Sequence, residues 1–200
     1  SPATETSPAD GTVVPLPFAY PVYLTLREAG DMGPSGVSGQ ERRDAVLREL
    51  NIDPARYVTL KQIHSRVVRT VHGENMLGDP TDGDPANGDP IEGNAAEGDG
   101  LLSNDPALAL GVTVADCMPI LLAAPDKNVF GVLHSGWRGT GIVSEAIDLA
   151  EKTYGVRPEE LSVLLGPAIG SCCYRVDEER AAEFAHLWGE HTVVRTDGAP

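Results

Sequence analysis

The stretch VTVADCMPILLA, residues 112–123, combines the pattern of a buried strand with two residues that do not fit it. Its apolar residues are typical of a strand in a protein core. Asp116 and Cys117, in its middle, are not typical strand residues. A carboxylate beside a thiol in such surroundings indicates that other parts of the chain bring chemical partners to this point.

The segments on either side alternate between helix-like and strand-like patterns. Helices are predicted over 38–50, with Ser38 and Glu41 as a capping box, over 141–155, and over 176–188 with Asp177 as the cap. The predicted strands are 20–27, 57–65, 67–71, 128–135 and 161–170. The prediction is therefore an α/β (α+β) fold with mixed sheets flanked by helices.

Composition limits the possible partners. The formal net charge is −15, which argues against nucleic acids and anionic membranes, because phosphate groups are bound by patches of Lys and Arg. No apolar run is long enough to span a membrane. Residues 1–19 are interpreted as a disordered leader or an expression remnant, not a secretory signal, and 20–200 as one domain.

Residues 73–100 are interpreted as an acidic loop insertion. Between Gly73 and Gly100 the chain has eight acidic residues and no Lys or Arg, and Gly-Asp-Pro recurs every five residues. Each Gly-Asp-Pro favours a turn. A calcium loop is the alternative, but Pro after each Asp does not fit the ligand spacing of such loops. A solvated surface loop is favoured.

The three cysteines do not indicate a disulfide framework. Their number is odd, and Cys172 and Cys173 are adjacent, a strained geometry for pairing. The number and placement of the cysteines favour a reducing, cytoplasmic compartment, and Cys172 and Cys173 are interpreted as structural residues.

Cys117 is instead a candidate metal ligand together with His64 and His134. Each follows or ends a predicted strand, and strands that meet at one sheet edge would bring the three side chains together. One thiolate and two imidazoles form a zinc set with one open position, as in catalytic zinc sites. The alternative is that Cys117 is a small core residue and that the histidines have no ligand role.

The segment HSGWRGTG, residues 134–141, is a candidate anion site. Gly136, Gly139 and Gly141 permit a tight turn between a strand and a helix, and the helix N-terminus favours an anion. Arg138 can add a fork of donors for phosphate or carboxylate. The alternative is a tight turn with Arg138 at the surface.

Four segments resemble a known family. They are QIH at 62–64, GDGLLSNDPALALGVTVADCMPILLAAPD at 98–126, GVLHSGWRGTGIV at 131–143 and LGPAIGSCCYRVDEE at 165–179. The sequence is similar to the laccase-domain family, also called the multicopper polyphenol oxidase or purine nucleoside phosphorylase family. The resemblance extends over most of residues 20–188.

The resemblance implies that His64, Cys117 and His134 hold zinc at an active site. The implied activity is phosphorolysis of adenosine, inosine, guanosine and methylthioadenosine, with adenosine deamination as a second activity. The implied fold has mixed sheets flanked by helices, like a deamidating bacterial toxin with a central Cys-His pair. Asp99, Gly136, Gly139 and Arg138 are assigned to substrate or phosphate binding.

The chain departs from the family pattern in three places. The segment TLREAGDMGPSGVS is stretched, which leaves the role of Arg27 open; the Gly-Asp-Pro run lengthens the loop before Asp99; and the family continues beyond Pro200, so the C-terminus is interpreted as cut or diverged. Three other functions remain open. The other functions are copper-dependent phenol oxidation, metal-free hydrolysis by a Cys117/His134 dyad, and a non-catalytic zinc-binding module. Asp116 either anchors a loop or orients a ligand imidazole.

Overall fold

A computed structural model describes residues 12–32, 37–73, 76–77 and 96–195 of the chain. The strands there are β1 (Val13–Leu16), β2 (Val22–Thr25), β3 (Tyr57–Val58), β4 (Val68–His72), β5 (Met76–Leu77), β6 (Gly100–Ser103), β7 (Ala109–Leu110), β8 (Met118–Ala124), β9 (Val129–Ser135) and β10 (Ser162–Leu165). The helices are α1 (Val37–Glu49), α2 (Ile142–Tyr154) and α3 (Glu178–Trp188). The mixed architecture that the sequence predicts is confirmed.

A six-stranded mixed sheet organises the larger part of the fold. Its strand order is β10-β8-β9-β6-β4-β5. The β4–β6 pair is parallel and the other pairs are antiparallel. The β8–β9 hairpin lies at the centre, with Pro119 opposite His134 and Ala124 opposite Val129. This register places the start of β8 beside the end of β9.

Both faces of this sheet are buried, which explains why its central strands are apolar without interruption. Helix α2 covers one face with Ile142, Ala146 and Ala150, which pack in one cluster with Leu122 of β8 and Leu133 of β9. A second cluster contains Val58, Leu60, Val71, Leu101, Leu108 and Val132. Neighbouring residues of one strand, such as Leu101 and Leu102, therefore enter different clusters.

Small sheets complete the first compact unit, which spans Ser1–Ala168. Strands β1 and β2 pair antiparallel, and β3 pairs with β7 in parallel. Because Val13–Leu16 forms β1, the predicted leader over 1–19 is wrong from Val13 onward. Ser38 lies inside α1 and does not cap it. The Gly-Asp-Pro repeat lies outside the described residues.

Residues Ile169–Pro200 form a second compact unit, whereas the sequence predicts one domain over 20–200. Its helix α3 begins as predicted, because the side chain of Asp177 accepts a hydrogen bond from the backbone N–H of Arg180. The ring of Phe184 contacts those of Tyr174 and Trp188. None of the helices described has the length and apolar content needed to cross a bilayer.

Truncation of Leu122 tests the packing under α2. Leu122 is 1% exposed, so Leu122→Ala should lower the free energy of unfolding by about 2–5 kcal/mol, because it removes buried methyl groups and leaves a cavity. Leu165→Ala, on the edge strand, is the matched control because Leu165 is 59% exposed. Urea unfolding followed by circular dichroism measures both; equal losses would contradict this description of the core.

Candidate metal centre

Three candidate ligands from distant parts of the sequence converge at one end of the β8–β9 hairpin. The ligand atoms of His64, Cys117 and His134 all lie within 4.8 Å of one another. The two imidazole rings meet edge to face, with their centroids 4.8 Å apart. Donors on one tetrahedral zinc ion lie roughly 3.5 Å apart, so the three side chains fit a metal ion after a small closure.

The route to this convergence differs from the one that the sequence suggested. Cys117 does not follow a strand; it lies in a bend just before β8. His134 is near the end of β9, which runs antiparallel to β8, so the two residues meet through the hairpin register. His64 lies in a bend between β3 and β4, with a φ of 59°. The predicted meeting of three carboxyl-terminal strand ends is therefore wrong, although the three residues do meet.

The centre is closed on the protein side and open to solvent on the other. His134 is buried at 3% exposure, Cys117 is half-buried and His64 is exposed. This difference in solvent exposure is what is expected when the three donors lie on one side of an ion and the opposite side stays accessible. An accessible coordination position is the property that distinguishes catalytic from structural zinc sites.

The fully buried carboxylate of Asp99 connects two of the ligands. Its oxygens accept hydrogen bonds from the backbone N–H groups of Ile63 (3.3 Å), His64 (3.0 Å) and Ser65 (2.6 Å), and from the Ser65 hydroxyl (2.7 Å). It also lies 2.8 Å from Nδ1 of His134. In addition, the His134 N–H donates to the Asp99 carbonyl at 2.7 Å. Asp99 thus fixes the backbone of one ligand and the ring of another.

These contacts determine the tautomer of His134. Burial alone would raise the pKa of Asp99, but hydrogen bonds from Ser65, His134 and His64 outweigh it and hold the pKa below its usual value. The ionised carboxylate can only accept, so Nδ1 of His134 carries the proton. Nε2 then keeps its lone pair and is the atom available to a metal.

Asp99 was expected from the sequence to contact substrate or phosphate. Its carboxylate is fully buried and its hydrogen bonds go to the protein, which favours a positioning role instead. Asp116, the other candidate for orienting an imidazole, is exposed. The sequence analysis named Asp99, in the GDG segment immediately before β6, but no local pattern there indicates a positioning role.

The side chain of Gln62 joins the segment that carries His64 to the segment that leads to Cys117. Its side-chain amide donates to the Thr113 carbonyl at 2.8 Å, and its oxygen accepts from the Thr113 N–H at 2.7 Å. Gln62 lies two residues before His64, and Thr113 lies four residues before Cys117. Sequence reasoning noted Gln62 only as part of the QIH motif.

The glycine-rich turn after β9 packs directly against the ligands. A Cβ atom on Gly136 would lie 3.0 Å from Cδ2 of His64 and 3.1 Å from Sγ of Cys117. One on Gly139 would lie 2.7 Å from the carbonyl oxygen of Ser65. The absence of side chains at these positions therefore allows the turn to approach the metal centre.

Two arginines accompany this turn. Arg138 stacks on Trp137, with its guanidinium carbon 4.9 Å from the ring centroid. Arg66, which sequence reasoning missed, lies against Gly141: a Cβ there would be 3.3 Å from the guanidinium carbon. Both arginines are exposed. The start of α2, the turn and the two cations make this side of the centre suitable for an anion.

The surroundings of Cys117 do not lower the pKa of its thiol. Burial raises its pKa, and the negative charges of Asp116 and Asp99 raise it further. Catalytic cysteines have a lowered pKa, because a neighbouring positive charge stabilises the thiolate. A bound metal ion would supply that positive charge here.

Comparison with known proteins identifies the family. The family model described as multi-copper polyphenol oxidoreductase laccase matches residues 27–198. The chain belongs to this family. A purine nucleoside phosphorylase of Streptomyces griseus, ORF3, is 33% identical over 187 residues, which are 88% of this chain and 70% of that protein. The purine nucleoside phosphorylase YlmD of Geobacillus stearothermophilus is 40% identical over 82 residues, 40% of this chain and 30% of that protein.

Solved structures of family members share the fold. The crystal structure of YlmD from Geobacillus stearothermophilus matches with a TM-score of 0.63 and 28% identity, covering 85% of this chain and 60% of that one. YfiH from Bacillus licheniformis matches with a TM-score of 0.64 and 30% identity, covering 81% of this chain and 60% of that one. The chain thus spans about three fifths of the length of these two proteins.

Replacement of Asp99 tests its positioning role. Asp99→Asn keeps the shape of the side chain but removes the charge that orients His134, so metal affinity should fall about 10–100-fold. Asp126→Asn, which removes an exposed carboxylate at the opposite end of the β8–β9 hairpin, is the matched control and should leave the affinity unchanged. Titration with Co²⁺, followed by its visible absorption, measures affinity and ligand geometry together. An unchanged Co²⁺ spectrum and affinity in Asp99→Asn would contradict the role.

Proposed function

We propose that this chain carries the catalytic core of a zinc-dependent purine nucleoside phosphorylase. The observation that supports this most directly is the convergence of His64, Cys117 and His134 beside the glycine-rich turn. The names of the Streptomyces griseus and Geobacillus stearothermophilus relatives support the substrate class. The proposed substrates are inorganic phosphate with adenosine, inosine, guanosine or methylthioadenosine.

The donor set favours zinc over copper. One thiolate and two neutral imidazoles with an accessible fourth position match catalytic zinc sites, and zinc bound there would supply a Lewis acid. A blue-copper site adds a weak axial ligand, commonly Met. Met118, the nearest methionine in sequence, packs against the cluster under α2. Phenol oxidation with strong visible absorption by the copper-loaded protein would favour the alternative.

The residues of the turn bind and orient phosphate. Arg138 and Arg66 supply donors and positive charge, and the start of α2 adds its partial positive charge. A phosphate oxygen then forms a bond to the anomeric carbon of the nucleoside. The bond from that carbon to the purine nitrogen breaks, and its electron pair leaves with the base. Asp99 and Gln62 keep the ligand side chains in place during this exchange.

A metal-free Cys117/His134 hydrolase is the weaker hypothesis. Such a dyad needs a thiolate of lowered pKa, whereas burial and the charges of Asp116 and Asp99 raise the pKa of Cys117. Asp99 holds the Nδ1 proton of His134 and leaves Nε2 free as a base, so the thiol is the group that disfavours the dyad. Iodoacetamide inactivation that persists after complete chelation would support the dyad.

Removal of Cys117 tests the metal and the activity together. Cys117→Ala should lose stoichiometric zinc, because two imidazoles alone bind it poorly, and phosphate-dependent cleavage of inosine should fall to background. His186→Ala, an exposed histidine outside the cluster, should keep both properties. The measurements are zinc by atomic emission and release of hypoxanthine by chromatography. Full zinc content and turnover in Cys117→Ala would refute the proposal; zinc without turnover in wild type would indicate a binding module.

Arg138→Ala tests the position of phosphate. A charge-assisted hydrogen bond contributes about 1.5–3 kcal/mol, so the KM for phosphate should rise at least about tenfold while the KM for inosine changes little. Lys127→Ala, an exposed cation at the opposite end of the β8–β9 hairpin, is the matched control. An unchanged phosphate dependence would remove Arg138 from this role. Inosine formed from adenosine without phosphate would reveal the adenosine deamination that the family resemblance implies.

A further inference from the structure

The second compact unit contains a pair of thiols that the proposed function does not use. Cys172 and Cys173 lie in a turn in which the N–H groups of Cys173 and Tyr174 both donate to the Gly170 carbonyl, at 2.9 and 3.0 Å. The two Sγ atoms are 3.4 Å apart. In an extended chain neighbouring side chains point to opposite sides, so the turn is what brings the sulfurs together.

These cysteines do not act as core residues, although the sequence suggested a structural role for them. Both are exposed, and both are free thiols. A disulfide between them is disfavoured, because adjacent Cα atoms are about 3.8 Å apart and disulfides usually join Cα atoms about 4.4–6.8 Å apart. The pair therefore favours the dithiol form, with both sulfurs accessible to a ligand from solvent.

The spacing of the sulfurs suits a shared metal ion. Sulfurs 3.4 Å apart subtend an angle of roughly 95° at an ion whose bonds to sulfur are about 2.3 Å long. Rotation of the exposed side chains can widen this angle toward trigonal or tetrahedral geometry. The set contains only sulfur, unlike the mixed His-Cys-His centre, and thiolate ligands select soft ions such as Cu(I).

We propose that Cys172 and Cys173 form a bidentate thiolate site for Cu(I), built from different residues than the His-Cys-His centre. Binding replaces the two thiol protons by one Cu(I) ion and releases both protons to solvent. Two copper–sulfur bonds form and no electron is transferred. The remaining coordination positions are left to a small solvent ligand. Copper taken up by this protein would accordingly have a binding position outside the proposed catalytic centre.

Anaerobic competition with the Cu(I) chelator bathocuproine disulfonate tests the site. Cu(I) is supplied as its acetonitrile complex to the whole chain carrying Cys117→Ser, which removes the other thiol. That protein should bind one Cu(I), with thiolate-to-copper absorption in the near ultraviolet. Adding Cys172→Ser or Cys173→Ser should each weaken binding at least about 100-fold, because loss of either sulfur removes the chelate.

Two results would overturn the proposal. One is Cu(I) affinity in Cys117→Ser that is unchanged when Cys172 or Cys173 is also replaced; the other is absence of Cu(I) binding in folded Cys117→Ser. Phenylarsine oxide gives a second measurement, because its arsenic forms two As–S bonds with a dithiol while its oxygen leaves as water. One arsenic per folded Cys117→Ser chain is expected, and absence of arsenic binding would also overturn the proposal. This measurement does not depend on the folding of the Cys172→Ser and Cys173→Ser variants.

Discussion

The buried carboxylate of Asp99 is the interaction on which the candidate centre depends. It accepts hydrogen bonds from three successive amides at 63–65, from the Ser65 hydroxyl and from the ring of His134. An isolated charge at 0% exposure would be strongly unfavourable, so these donors are a condition of its burial. Because the same donors belong to the segments of two candidate ligands, His64 and His134, satisfying the charge also fixes the geometry of the candidate metal centre. The left-handed backbone of His64 is held by the same contacts.

The adjacency of Asp116 and Cys117 follows from the bend that precedes β8. The bend directs the thiol toward His134 and leaves the carboxylate exposed, while β8 continues into the core from Met118. The antiparallel hairpin then brings the end of β9 alongside. The segment meets both requirements, to start a buried strand and to supply a candidate ligand, because Cys117 lies just before the strand, where the chain is still half-buried.

The elements whose bounds the sequence predicted well are those determined by interactions between residues a few positions apart. The bounds of α2, α3 and β9 were predicted to within two residues, because their apolar periodicity, the Asp177 cap and the flanking glycines act over a few positions. The three candidate ligands were named from the sequence, but the way in which the chain brings them together was not predicted, because strand direction depends on long-range pairing. Asp99 contacts residues 34–36 positions away in sequence, so its positioning role has no local signature. Strand β1 was missed because it is four residues long and is specified by pairing with β2.

The electrostatics of Cys117 favour a cation more than a covalent mechanism. Asp116 and Asp99 raise the thiol pKa because a second negative charge nearby is unfavourable, and burial acts in the same direction. A divalent cation reverses both effects: it neutralises the local negative charge and stabilises the thiolate as a ligand. The carboxylates that make Cys117 a poor free nucleophile thus make it a good partner for a metal ion. The glycine-rich turn packs against His64 and Cys117, and the two exposed arginines beside it carry the positive charge that would suit an anion.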